Sequence, residues 1–295
     1  MIKISDLCKS YDEPVLEHVN LEIEDGSIFG LIGINGAGKT TLLNMLSGVM
    51  QLDSGFIQYD GEDIYENIDV KKDIFFLPDE PFYTMNTTPK NILKTYKMFY
   101  KVDEDEYYRF LNTFKLPIEE SMYNFSKGMK RQVFVSLAFA IRPKYLFLDE
   151  TFDGLDPLAR LLLKRELIRL VDECDTTVVI SSHSLRELSD ICDSYGIINK
   201  TSILSYGDVD TLLNKYHQYT FGFEKLMKQS DFDIPFVKYS QDKRIITCVT
   251  ELDYEQVKEK ISKFNPVIFE ENPLDFEEEF MMEIKSVEVE EWKYI

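Results

Sequence analysis

The sequence has only three histidines, His18, His183 and His217, and four cysteines, Cys8, Cys174, Cys192 and Cys248. The histidines are too dispersed to suggest a metal cluster. The cysteines are scattered without a C-x-x-C, so a motif of that spacing is excluded and free thiols in a reducing cytoplasm are expected. Basic residues are also scarce: 33 Lys and Arg against 53 Asp and Glu, a net charge of −20. Nucleic acid is therefore not expected as a partner, because counterion-release binding needs clustered cations. The acid excess reads as solubility. The start, "MIKISDLCKSY", lacks the apolar core of a secretory signal. No stretch approaches the roughly 18 uninterrupted apolar residues of a spanning helix. A soluble chain is expected, reaching a membrane only through a partner that spans it. Internal repeats, low-complexity runs and a Gly/Ser linker are missing too.

What is present is a 295-residue chain, 44% hydrophobic, long enough for one large domain and a smaller one. Residues 2–7 and 19–24 alternate like half-buried strands. "IFGLI" (28–32), "DIFFLP" (73–78), "YLFLDE" (145–150) and "TTVVISSH" (176–183) are short apolar runs suited to buried parallel strands. A helix is expected after the first of these, to about Val49. "GFIQYDG" (55–61) reads as a strand ending in an Asp-Gly turn. Two helices are expected over 88–115, the first with Thr88 as cap and Pro89 inside. "KGMKRQVFVSLAFAI" and "PLARLLLKRELIRLVDE" are helical, and "DSYGIINK" with "TSILSYG" reads as a hairpin. Near residue 217 the pattern becomes strand, hairpin, helix, strand, a small α+β unit over 217–295 whose tail begins as an acidic helix.

Between the first buried strand and its helix lies "GINGAGKTT", Gly33 to Thr41. Its glycines permit the positive-φ turns that form a cup of backbone N–H groups, and the helix N-terminus adds partial positive charge. Gly33, Gly38, Lys39 and Thr40 fit G-x-x-x-x-G-K-[ST]. Gly33, Ile34, Asn35, Gly36, Ala37, Gly38, Lys39, Thr40 and Thr41 are thus candidate nucleoside triphosphate ligands. Lys39 would reach the phosphates and Thr40 a Mg²⁺ ion. Asp149 and Glu150 end a core strand, the edge where open α/β sheets bind ligands. Asp149 can hold Mg²⁺, and Glu150 can accept a proton from attacking water. Ser126 and Gly128 in "NFSKGMKRQ" open another anion-friendly helix start, though a plain Ser cap fits the same residues.

The order of these pieces resembles the ATP-binding subunit of an ABC (ATP-binding cassette) transporter over residues 1 to about 215. "GINGAGKTT" resembles Walker A, "FSKGM" the signature motif, "YLFLDE" Walker B with its catalytic Glu, "DGLD" (153–156) the D-loop, and His183 the switch histidine. Tyr11 sits where the family places an adenine-stacking aromatic; a surface aromatic on a hairpin is the alternative. For His183 the alternative is a core histidine. The sequence departs from the family at Asp79, where "FLPDE" has an acid in place of the usual Gln, and at Lys127 and Met129 in the signature. Asp79 is nevertheless expected near Mg²⁺, with Thr40 and Asp149. "SKGM" resembles the exporter branch that handles antibiotics, peptides or lipids with a separate permease.

The resemblance implies an α/β P-loop NTPase core: a mostly parallel sheet flanked by helices, an antiparallel β subdomain, and a helical subdomain at about 80–140. The core would span 1–216, followed by the α+β unit. The cofactors implied are ATP and Mg²⁺. The partners implied are a transmembrane permease and a second ATPase subunit, the same chain or a paralogue, each ATP lying between Lys39's loop and the other subunit's Ser126 and Gly128. Lys39, Glu150 and His183 would be catalytic, and Asp156 would couple the two sites. The insert at about 80–121, with Phe82, Tyr83, Tyr96, Phe99 and Tyr100, is the expected docking surface, unless those aromatics are simply core. The place implied is cytoplasmic, peripheral at the inner face of the cell membrane. A GTPase is disfavoured because "NKTS" (199–202) lacks the Asp of N-K-x-D. The rival of another class is a soluble ABC-type regulatory ATPase that transports nothing.

Overall fold

A computed structural model describes residues 1–274, 278, 280 and 282. Contacts divide the chain into two units, Met1–Tyr206 and Gly207–Ile295. The expected step at 217 lies inside the second unit. The turn of helix before it, capped by Asp208, leaves no mark in composition.

Along the first unit run β1 (Ile2–Ser10), β2 (Pro14–Ile23), β3 (Ile28–Ile32), α1 (Lys39–Leu46), β4 (Ser54–Tyr59), β5 (Glu62–Asp63), α2 (Ile68–Lys71) and β6 (Ile74–Leu77). Then come α3 (Pro89–Tyr96), α4 (Glu104–Thr113), α5 (Lys127–Ile141), β7 (Tyr145–Asp149), α6 (Pro157–Cys174), β8 (Thr177–Ser182), α7 (Leu185–Leu188), β9 (Ser194–Asn199) and β10 (Ser202–Asp208), whose last two residues belong to the second unit. One sheet is antiparallel, in the order β2-β1-β4-β5, and a second runs β10-β9-β3-β8-β7-β6. In the second sheet β9, β3, β8, β7 and β6 pair in parallel. Every residue of β3, β7 and β8 is buried, as parallel strands covered on both faces require. One buried cluster joins the antiparallel sheet, α1 and the parallel strands, from Ile4 and Leu21 through Leu42 and Leu46 to Phe147 and Val179.

Local chemistry sets the helix ends. Thr88 accepts the Asn91 N–H at 3.2 Å with Pro89 at the first helical position. Asp103 caps α4 through the Glu106 N–H at 3.1 Å. The first helix stops at Leu46, short of the expected Val49. Gly48 adopts φ +66 and its N–H returns to the Met45 carbonyl, a glycine stop after the last turn.

The second unit holds α8 (Val209–Leu213), β11 (His217–Gly222), β12 (Lys238–Asp242), β13 (Ile245–Thr250), α9 (Tyr254–Ser262) and β14 (Ile268–Asn272), with sheet order β12-β13-β11-β14. The expected strand, hairpin, helix and strand are all present. Its core is aromatic, centred on Tyr219, Phe221, Phe223 and Phe232 with Val257 and Ile261 of α9. The acidic tail helix expected after 274 lies outside the described residues. No described helix is long and apolar enough to cross a membrane.

Candidate functional site

Parallel pairing places the carboxyl ends of β3, β8 and β7 side by side, with Ile32 opposite Ser182 and Asp149 opposite Ser181. Everything that leaves that edge converges. From β3 comes the glycine loop. Gly36 and Gly38 adopt φ +83 and +102, which L side chains disfavour, and α1 starts at Lys39. Thr41 lies in the first turn of α1, and Ala37 donates its N–H to the Ile34 carbonyl at 3.2 Å. Lys39 is 5% exposed and folds back into its own loop. Its Nζ lies 2.6 Å from Gly33 O, 3.2 Å from Ile34 O and 3.0 Å from Glu150 Oε1.

From β7 come the two acids. Asp149 is 1% exposed. Its Oδ2 accepts the Thr40 hydroxyl at 2.7 Å and its Oδ1 the Ser181 hydroxyl at 2.6 Å. Glu150 follows at φ +46, and its N–H donates to Ser181 Oγ at 3.0 Å. From β8 comes His183, whose Nδ1 is 2.9 Å from Glu150 Oε2. Partial burial alone would raise the Glu150 carboxyl, but the Lys39 ammonium and His183 outweigh it and hold it below the usual range. Glu150, Asp153 and His183 also present ligand atoms within 4.8 Å of one another, but the Lys39 ammonium already supplies the positive charge there.

The structure does not bring Asp79 into this group. Its carboxylate pairs with Arg131, and with Lys127 at 2.8 Å. Arg131 is only 2% exposed and also donates to the Asp153 and Asp79 carbonyls. Burial would raise the Asp79 carboxyl, and these cations hold it below its ordinary value. A residue expected at a metal thus serves a buried guanidinium; the family resemblance that suggested Mg²⁺ carries no sign of Arg131.

The Ser126 hydroxyl caps α5 through the Met129 N–H at 3.1 Å. Gly128 lies against the turn after β7: a Cβ there would stand 2.3 Å from Gly154 O. Asp156 accepts the N–H groups of Leu158 and Ala159, each at 3.0 Å, as the cap of α6. Tyr11 is 60% exposed on the β1–β2 turn, its hydroxyl 3.1 Å from Met50 Sδ. That turn leads to Val15, whose carbonyl lies 3.3 Å from where a Gly38 Cβ would be. Ser181 and Arg131 escape sequence reasoning, because strand register and helix approach bring them in, and so does the approach of Gly154, inside "DGLD", to Gly128. The one signal for Ser181 is a hydroxyl pair ending an apolar run.

Beside α3, Ile68 of α2 and Pro81, Phe82, Tyr96, Phe99 and Tyr100 line much of a groove of about 730 Å³. Phe82 is 88% and Phe99 72% exposed. Tyr100 donates its hydroxyl to Ile74 O at 2.8 Å, and burial pushes the Tyr96 phenol up to about 12. Tyr83 lies elsewhere, under the Lys130 ammonium at 5.3 Å.

The model of the ABC transporter family matches residues 16–153. The ABC transporter ATP-binding protein YtrB of Bacillus subtilis (strain 168) is 30% identical over 283 residues, 95% of this chain and 97% of that one. The bacitracin transport ATP-binding protein BcrA of Bacillus licheniformis is 32% identical over 224 residues, 74% of this chain and 73% of its own. A solved structure of an ATP-binding subunit of an ABC transporter superposes with a TM-score of 0.66 at 29% identity, covering 72% of this chain and 91% of that one.

Proposed function

The chain belongs to the family of ABC transporter ATP-binding proteins, and we propose that it powers an exporter through Lys39, Asp149, Glu150 and His183. It binds and hydrolyses ATP to drive a membrane ABC transporter, and it works with a permease. The observation that carries the site is the set of short contacts at one sheet edge: Lys39 to Glu150 at 3.0 Å, Thr40 to Asp149 at 2.7 Å and Glu150 to His183 at 2.9 Å.

The cup from Gly33 to Thr41 holds the phosphates, and Lys39 turns to them from its own loop carbonyls and from Glu150. Glu150 is then relieved of the Lys39 ammonium and keeps its contact with His183 and its partial burial, placed to accept a proton from the attacking water. His183 orients Glu150 and contacts the γ-phosphate. The Thr40 hydroxyl and the Asp149 carboxylate are two oxygen donors side by side, a donor set that fits Mg²⁺. When bound, that cation neutralises charge on the β- and γ-phosphates. Asp79 is paired with Lys127 and Arg131 instead. Tyr11 stacks on adenine. Ser126 and Gly128 face the nucleotide of a second subunit, so neither half-site is complete alone, and Asp156 caps a helix beside that junction.

The permease docks in the groove between Phe82 and Phe99, whose exposed rings are otherwise costly to leave in water. Export is supported by the "SKGM" start of α5 and by similarity to a bacitracin transport protein. Free thiols fit a cytoplasmic position at the inner face of the cell membrane. The test is to express tagged Glu150→Gln in its native cell, solubilise membranes gently and identify what co-purifies. A polytopic membrane protein in stoichiometric amount is expected; recovery only with a soluble partner or ribosomes contradicts the transporter reading.

A further inference from the structure

The tandem serines that end β8 face opposite sides and hold different things. Ser182 Oγ donates to Glu187 Oε2 at 2.8 Å and accepts the Ser184 N–H at 2.9 Å, which shapes the turn after His183. Ser181 is 0% exposed, and its hydroxyl is committed to the two acids of β7. It donates to Asp149 Oδ1 at 2.6 Å and accepts the Glu150 N–H at 3.0 Å. A hydroxyl inside a buried parallel strand is costly unless bonded; this one is bonded in both directions.

Two consequences follow for the neighbours. Each oxygen of the Asp149 carboxylate has its own hydroxyl donor, Thr40 on Oδ2 and Ser181 on Oδ1, so the carboxylate has a single orientation. Glu150 occupies the left-handed region at φ +46, which a residue with a side chain holds only when its surroundings fix it. The N–H that Ser181 anchors is Glu150's own.

We propose that Ser181 is a positioning residue for ATP hydrolysis: its hydroxyl orients Asp149 toward a divalent cation and pins the backbone that aims Glu150. The inference rests on the assignment of Asp149 as a cation ligand and Glu150 as the base. Hydroxyls that hold a ligating carboxylate typically change metal affinity or activity by roughly 10- to 100-fold when removed.

The test uses the full chain and a fluorescent ATP analogue, with affinity measured once in EDTA and once in excess Mg²⁺. For Ser181→Ala the affinity in EDTA is expected to match wild type, while the Mg²⁺-linked gain shrinks roughly tenfold. Ser136, also fully buried and bonded to Gln132 O at 2.7 Å, is the control: Ser136→Ala lowers stability without touching the gain. Ser181→Cys keeps the size with a weak donor and gives the same shift if the alanine variant does not fold. Asp149→Asn separates the two levels of the argument. If it loses the gain while Ser181→Ala keeps it, Ser181 has no positioning role and the site assignment stands. If Asp149→Asn keeps the gain, Asp149 is not a cation ligand and the inference falls with that assignment.

Discussion

Lys39 carries a buried charge that its own loop carbonyls and Glu150 satisfy. Lys39→Ala removes the cation that the phosphates need, so binding of an ATP analogue or its turnover should be lost; normal turnover would sink the phosphate-cup assignment. Gly128 is a steric requirement. A methyl there would meet Gly154 O at 2.3 Å, so Gly128→Ala should cost about 1–3 kcal/mol, read as a lower urea midpoint at unchanged slope. An unchanged midpoint would mean that the start of α5 is free to move. At this scale Lys39, Thr40, Asp149 and Glu150 were legible because motif spacing along the chain encodes them. Ser181 and the contact of Gly154 with Gly128 were not, because each matters through a neighbour across a sheet or beside a helix.

Helix α5 is buried almost around its circumference from Gly128 to Ala140, so its one buried cation, Arg131, needs an anion from another element. Asp79, just past β6, supplies it. Asp79→Ala should destabilise the fold by about 1–3 kcal/mol, below the roughly 3–5 of a fully buried pair. The discount follows because Asp79 is 39% exposed and Arg131 keeps two carbonyl acceptors. Chemical denaturation checks this; no loss would show that the carbonyls alone suffice. Helices were legible where a cap announced them, as Thr88 and Asp103 did. The end of α1 was misjudged because the apolar pattern of "LSGVM" continues past the point where Gly48 turns the backbone. The pairing of Asp79 with Arg131 is not legible in the sequence, because the family position points to a ligand and the partner lies 52 residues on.

Across the whole molecule, several acids are held in their charged form by basic partners. Lys144 and the terminal amine depress Asp60, Arg109 depresses Glu106, and Lys127 with Arg131 depresses Asp79. Folded values below unfolded ones give stability that is present above the unfolded range, about 4, and is lost as pH falls through the folded values. Thermal stability should therefore drop steeply below about pH 4, and Asp79→Asn should make that acid limb shallower; a limb of equal slope would contradict the pairing. The two-unit plan was legible from the change of pattern near 217, while the division after Tyr206 was not, since α8 is too short to register.

The proposed joining of two subunits by ATP, through Lys39's loop and Glu150, is read out by size-exclusion chromatography of Glu150→Gln. With saturating Mg-ATP the variant should elute as a dimer, and without nucleotide as a monomer. A monomer that has bound ATP would contradict the shared site.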